Sequence, residues 1–323
     1  MNRLFLLSLW GLFIFGCKNE VSRENEEKVE ESTFEFIQDR AFKNGITIRG
    51  DNSAHPEAIG YFYPFEKSEK EPHWALAQWG TREVMNNIEP TSRNDTIIYQ
   101  GEAKRLFFYP REGKDIQIGL EIFGSREYPS PRKLGDGWVH LLIEQSFSKL
   151  ILLKTIESIN YKIKTKLLFC DNRMGDAFNS DIHTAQVTLF LTVQNRIKDS
   201  PQYGDFFWFG LPLYDYRHEK IAEYGAQDLG KDDASKKFIS TVASDELFPG
   251  SMHSMNWVSI EKDIYPLIKK SFKTAQSRGY MKDSRWEDLC ISSMNLGWEV
   301  PGTFDCGIIF ECPSFMVTLK EGT

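Results

Sequence analysis

Between Asp181 and Gln194 the chain reads Asp-Ile-His-Thr-Ala-Gln-Val-Thr-Leu-Phe-Leu-Thr-Val-Gln, with apolar and polar side chains in near-strict alternation. A period of two places successive side chains on opposite faces of an extended strand and fits no helix. His183, Ala185, Val187, Leu189, Leu191 and Val193 are expected to face a core. Thr184, Gln186, Thr188, Phe190, Thr192 and Gln194 then make a polar face broken by one ring. Shorter runs of the same kind recur at 45–48, 104–109, 116–122, 139–145, 150–156, 161–170, 206–213, 238–241, 295–300, 307–311 and 315–319. Clusters such as Asn44-Gly45, Pro129-Ser130-Pro131 and Gly135-Asp136-Gly137 separate them. Many short strands divided by turn residues predict a mostly β fold, a two-sheet jelly-roll-like β-sandwich. One or two peripheral helices are expected with it. One begins near Pro266, with Leu267, Ile268, Phe272 and Ala275 on one face, Lys269, Lys270 and Lys273 opposite, and Arg278-Gly279 as its end.

The amino-terminal segment obeys another rule. Arg3 precedes an apolar run, Leu4 to Phe15, that is too short to span a bilayer and has the form of a signal sequence. It closes on Ile14-Phe15-Gly16-Cys17, which resembles the lipobox of bacterial lipoproteins. The resemblance implies removal of residues 1–16 and acylation of Cys17. Several acyl chains would hold the protein on a membrane durably, whereas one binds only reversibly. Lys18 rather than Asp follows the cysteine, which in such lipoproteins implies release to an outer membrane, on its periplasmic or surface face. The rest of 17–33 is almost wholly polar and reads as an acidic, solvated stalk, roughly 50 Å long if extended at about 3.3 Å per residue. The β-sandwich domain is expected over 34–321.

Charge excludes some partners. The chain carries 39 Lys and Arg against 46 Asp and Glu, a net charge of −7, and loss of residues 1–16 makes it one more negative. Nucleic acid is therefore not an expected partner. Besides Cys17 there are Cys170, Cys290, Cys306 and Cys312, with no Cys-x-x-Cys pair. They are read chiefly as buried small apolar residues, with Cys306–Cys312 or Cys290–Cys306 bridges as the alternative.

Gly-x-Gly-x-x-Gly, Walker, Gly-x-Ser-x-Gly, His-Glu-x-x-His and EF-hand patterns are all missing. The chemistry must then come from strand faces. In 138–145, Trp138, His140, Leu142 and Glu144 share one face. His140 and Glu144 lie about 13 Å apart at about 3.3 Å per residue, too far to chelate one metal. In the run Phe206-Phe207-Trp208-Phe209, the residues Phe206, Phe207 and Phe209 read mainly as core. Asp215 and Arg217 at its end are spaced for an ion pair or for ligand contacts. In 295–302, Trp298 and Glu299 point to opposite faces before Pro301-Gly302.

Glu144 and Glu299 are the carboxylate pair suited to acid and base work, since both sit in apolar stretches that would raise one pKa. A separation of about 5–5.5 Å would suit retention and about 6.5–9.5 Å inversion. His140 and His183 are candidate bases for an elimination. Trp138, Trp208 and Trp298 are candidate stacking platforms, with Gln186, Asp215 and Arg217 as polar ligand contacts. No cofactor is expected. Two loops, 49–53 and 228–233, carry hard oxygen ligands of the kind that hold Ca²⁺, without a defined spacing.

Lipobox, acidic stalk and a sandwich rich in Trp, Tyr and Phe together resemble surface lipoproteins of glycan-foraging bacteria, with a jelly-roll or concanavalin A-like domain. That resemblance implies carbohydrate as the partner. The leading reading is a carbohydrate-binding protein, and the alternative is an enzyme, a glycoside hydrolase or polysaccharide lyase, on the same fold. A non-catalytic envelope scaffold is the third reading.

Overall fold

In the computed structural model the alternating runs pair into two nine-stranded sheets. Residues 32–51, 57–228 and 236–321 are described. The apolar run, Cys17 and the stalk up to residue 31 lie outside them. The first sheet runs β1 (Thr33–Glu35), β18 (Ser314–Leu319), β10 (Ile156–Asn172), β17 (Phe304–Glu311), β8 (Gln117–Phe123), β7 (Lys104–Tyr109), β6 (Thr96–Gln100), β5 (Thr91–Arg93). Off this path, β15 (Val258–Asp263) pairs with β10. The second sheet runs β13 (Tyr224–Gln227), β14 (Phe238–Thr241), β12 (Phe206–Asp215), β11 (Gln186–Asn195), β16 (Leu289–Val300), β9 (Val139–Ser146), β4 (Trp74–Ala77), β2 (Ile46–Arg49), β3 (Ala58–Phe62). Among the described residues only β12 with β14 and β2 with β4 pair in parallel.

The apolar faces of both sheets close on one core. Leu106, Phe108, Leu120, Ile122, Ile308 and Phe310 come from the first sheet, and Leu141, Ile143, Leu189, Leu191, Leu296 and Trp298 from the second. Each such side chain contributes about 1.5–3 kcal/mol by leaving water. β16 lies between β11 and β9, β17 between β10 and β8, and β18 between β1 and β10. Residues 289–319 therefore occupy the interior of both sheets.

Two expected strands, 104–109 and 238–241, match β7 and β14. The stretch 150–156 does not form a strand. Leu152 makes an isolated bridge to Cys290, a 3₁₀ turn follows at Leu153–Thr155, and β10 starts at Ile156. β4 escapes an alternation search because all four of its residues are buried. Of the helices, α1 (Gly124–Glu127) is one turn, and α2 (Tyr265–Ser277) has Pro266 in its first turn. Leu267, Ile268, Phe272 and Ala275 are its buried face, and Phe272 meets Phe207 with ring centroids 6.3 Å apart. Among the described residues no helix is long and apolar enough to cross a membrane. Cys170, Cys290, Cys306 and Cys312 are all free thiols, so neither bridge considered from the sequence is formed.

Candidate functional site

Pairing across the second sheet lines up the outward-facing side chains in rows. In the first row Gln186 stands opposite Glu299 and Glu299 opposite His140. Gln186 Nε2 donates to Glu299 Oε2 over 2.7 Å. His140 Nε2 faces Glu299 Oε1 at 3.5 Å. The His140 Nδ1 contact is to the Trp138 carbonyl at 3.1 Å, and a carbonyl only accepts, so Nδ1 holds a proton there. Nε2 is thereby the nitrogen turned to the carboxylate. The Trp79 and Trp138 rings flank this imidazole at 5.5 and 5.7 Å.

The next row is Ala75, Glu144, Asn295, Phe190 and Gly210. Arg49 Nε approaches Glu144 Oε1 at 3.8 Å. The Asn295 Oδ1 atom is buried without a hydrogen-bond partner. Phe190 lies over Gly210, where an added Cβ would come within 2.7 Å of the ring and 2.6 Å of the Thr241 methyl. In the third row Thr192 stands opposite Trp208 and Ser293, and its hydroxyl meets that of Ser293 at 2.7 Å. Trp208 is half-buried and takes edge contacts from Phe206 at 5.2 Å and Phe190 at 6.5 Å.

These rows lie in a sunken surface, because Ala75, Leu142, Thr188, Thr192 and Gln194 all point away from the core and are still under 9% exposed. Hydroxyls, amides and carboxylates lie beside half-exposed rings, the combination that holds a flat, hydroxyl-rich molecule. An open hollow of about 560 Å³, lined by Lys43, Phe65, Arg111 and Lys114 among others, includes no residue of these rows. Its polar lining is wholly charged, from Lys43, Glu66, Arg111 and Lys114, with no amide or hydroxyl side chain beside Phe65, and the rows are the better candidate on chemistry.

The structure brings together Gln186, Glu299 and His140 and separates other expected partners. Glu144 is opposite Asn295 and Glu299 opposite His140, so the two carboxylates are four residues apart, about 13 Å along the strands. That exceeds the about 6.5–9.5 Å of an inverting pair, and Glu144 with Glu299 is not a two-carboxylate centre. His183 is buried, its Nδ1 accepting from Asn179 N–H at 2.9 Å and its Nε2 donating to the Arg132 carbonyl at 2.7 Å. Both nitrogens are used, which removes it as a base. Trp298 is fully buried and donates from Nε1 to the Leu120 carbonyl at 3.0 Å, so it ties the two sheets together and offers no platform. Phe206, expected in the core, is half-buried on the outward face beside Trp208.

Trp138 is half-buried, with the Arg132 guanidinium 5.0 Å over its ring. Asp215 and Arg217 form a two-pronged ion pair, Nη2 to Oδ2 at 2.7 Å and Nε to Oδ1 at 3.0 Å. Thr184 Oγ1 and the Arg217 backbone N–H also donate to Oδ1. Burial alone would raise the Asp215 carboxyl, but these hydrogen bonds outweigh it and the net shift is downward. This is a fastening of the strand end.

Trp79 and Asn295 were not singled out from the sequence. Trp79 closes the run Trp74-Ala75-Leu76-Ala77-Gln78-Trp79, whose alternation is blurred by small residues, and Asn295 sits in a stretch otherwise read for its Trp and Glu. The two oxygen-rich loops extend outside the described residues, at 52–53 and 229–233. Among the described residues no group of three or more His, Cys, Asp and Glu is placed to hold a metal ion.

No family model matches the chain, and no curated protein sequence matches it. Among solved structures it is similar to endoglucanase Cel12A from Rhodothermus marinus, at 9% identity and a TM-score of 0.40, over 74% of this chain and 100% of that one. It is also similar to Trichoderma harzianum endoglucanase 3 from family GH12, at 9% identity and 0.36, over 74% and 98%. A family 12 xyloglucanase from Bacillus licheniformis gives 11% identity and 0.37, over 74% and 100%. Likeness of this degree transfers neither an activity nor a residue, and what stands on the chain's own coordinates is a mostly β, two-sheet sandwich with a sunken, ring-bearing outward face.

Proposed function

We propose that the outward face of the second sheet binds carbohydrate, and that Cys17 holds the domain on a membrane through acyl chains. The observation that carries the first part is the juxtaposition of half-exposed Trp208, Phe206 and Phe190 with Asn295, Glu144, Gln186 and the Thr192 hydroxyl on one sunken surface. Rings supply a flat apolar platform, and amides, hydroxyls and carboxylates supply both donors and acceptors for sugar hydroxyls. The second part rests on the Gly16-Cys17 junction after an apolar run of signal-sequence length.

The test is binding of the full chain to a panel of soluble polysaccharides. Trp208→Ala is expected to weaken the bound glycan about tenfold, or about 1.4 kcal/mol. A chain that binds no member of the panel sinks this reading. For the anchor, radiolabelled palmitate should enter the expressed wild type and not Cys17→Ser.

A glycan-degrading enzyme is the second reading, favoured by the contact of His140 Nε2 with Glu299 Oε1. A histidine and a carboxylate able to pass a proton beside a sugar suit protonation of a leaving oxygen in hydrolysis or proton removal in a lyase step. Release of reducing ends or unsaturated products, lost in both Glu299→Gln and His140→Ala while glycan binding persists, would support it. Product release undiminished in Glu299→Gln would end it.

A further inference from the structure

Cys170 and Cys306 are direct partners across β10 and β17. The ladder around them fixes the kind of partnership. Arg173 N–H donates to the Thr303 carbonyl at 3.0 Å, so residues 173 and 303 form a hydrogen-bonded pair. Pairs alternate along an antiparallel ladder, and the register from Asn172–Phe304 through Cys170–Cys306 is continuous. Counting back three pairs makes Cys170–Cys306 a non-hydrogen-bonded pair, the kind whose Cα atoms are about 4.5 Å apart and whose side chains lie closest. A disulfide spans Cα separations of about 4.4–6.8 Å. Both side chains lie on the same, core-directed face of the first sheet, and the two thiols and the Tyr214 hydroxyl lie near enough to raise one another's pKa.

We propose that Cys170 and Cys306 are a cross-strand dithiol that closes to a disulfide when the chain meets an oxidised thiol–disulfide exchange partner. Access assigns the order of events. Cys170 is half-buried and Cys306 fully buried. The Cys170 sulfur, as thiolate, attacks one sulfur of the partner's disulfide, whose S–S bond breaks and releases one thiol. The Cys306 sulfur gives up its proton and displaces the partner's second sulfur from Cys170. Two protein thiols are thus oxidised and one partner disulfide is reduced to two thiols. Burial raises the Cys306 thiol well above its ordinary value, which is why reaction starts at Cys170. Cys290 and Cys312 have no such cross-strand cysteine, and burial raises the Cys290 thiol to about 12.

The experiment equilibrates the native full chain with glutathione disulfide, alkylates residual thiols and maps peptides. The expected result is a Cys170–Cys306 linked peptide with Cys290 and Cys312 still alkylated. The oxidised chain should melt roughly 5–15 °C above the dithiothreitol-treated chain, since the bridge closes a long loop. Cys170→Ser and Cys306→Ser should each lose that redox-dependent difference, and Cys290→Ala should keep it. If a serine variant does not fold, the wild-type melting difference and peptide map decide alone. Both thiols remaining free after equilibration, a link to another cysteine, or equal melting of the two forms would overturn the proposal.

Discussion

The two sheets present opposite outward faces built from one rule of alternation. On the first sheet the outward side carries three ion pairs, Lys162 with Glu261 at 2.8 Å, Arg111 just beyond β7 with Glu311 at 2.9 Å and Arg105 with Glu121 at 2.7 Å, beside the half-buried rings of Phe107, Phe123 and Phe169. On the second sheet they are Gln186, Thr188, Phe190, Thr192, Trp208, Asn295 and Glu299, with hydroxyl and amide contacts among them. Of these, Lys162 with Glu261 is exposed, and such pairs keep a sheet soluble and discourage pairing with other chains while contributing little stability. The second face sets amides and hydroxyls, with the carboxylates of Glu144 and Glu299, beside its rings, a mixture suited to recognising a hydroxyl-rich ligand. The contrast favours the second sheet as the proposed binding face without any appeal to a motif.

Three substitutions press on this contrast. The largest effect is expected for Arg217→Ala, which leaves Asp215 buried without its guanidinium at the end of β12. Chemical denaturation should show a loss of about 2–3 kcal/mol near neutral pH, less than the about 3–5 kcal/mol of a fully buried pair because Arg217 is partly exposed. The folded Asp215 carboxyl is depressed, so its stabilisation is present above the ordinary carboxylate range near pH 4 and is lost as pH falls through the folded value. The deficit of the variant should therefore be full above about pH 5 and narrow in acid.

Gly210→Ala comes next. Its methyl group would displace Phe190 from the sheet, costing about 1–2 kcal/mol and weakening any bound glycan, read by melting and by titration. Lys162→Ala, on the first sheet, should change neither the melting temperature nor glycan binding measurably, because Lys162 and Glu261 are both largely exposed. A binding loss in Lys162→Ala would reverse the assignment of the two faces.

Much of this architecture can be read from the chain before any coordinates. Alternation over 181–194 places Gln186, Thr188 and Phe190 on the outward face where β11 carries them, and Pro266 with its apolar face marks α2. Faces are local properties and register is not. That His140 meets Glu299, and that Glu144 does not, depends on which residue of β9 pairs with which of β16 across more than a hundred intervening positions. The alternation of Trp298 with Glu299 is local, but nothing local says which of the two faces is covered, and the platform expected of Trp298 fails for that reason. The Cys170–Cys306 pairing is hidden for the same reason.

The placement of β16, β17 and β18 has a consequence for how the molecule is made. Until residues 289–319 have left the ribosome, β9 and β11 lack the strand that joins them, and β10 lacks both β17 and β18. An unfinished chain thus carries long, unpaired, apolar-backed strand edges, the templates on which chains associate wrongly. Completion of both sheets thus waits on one carboxyl-terminal segment.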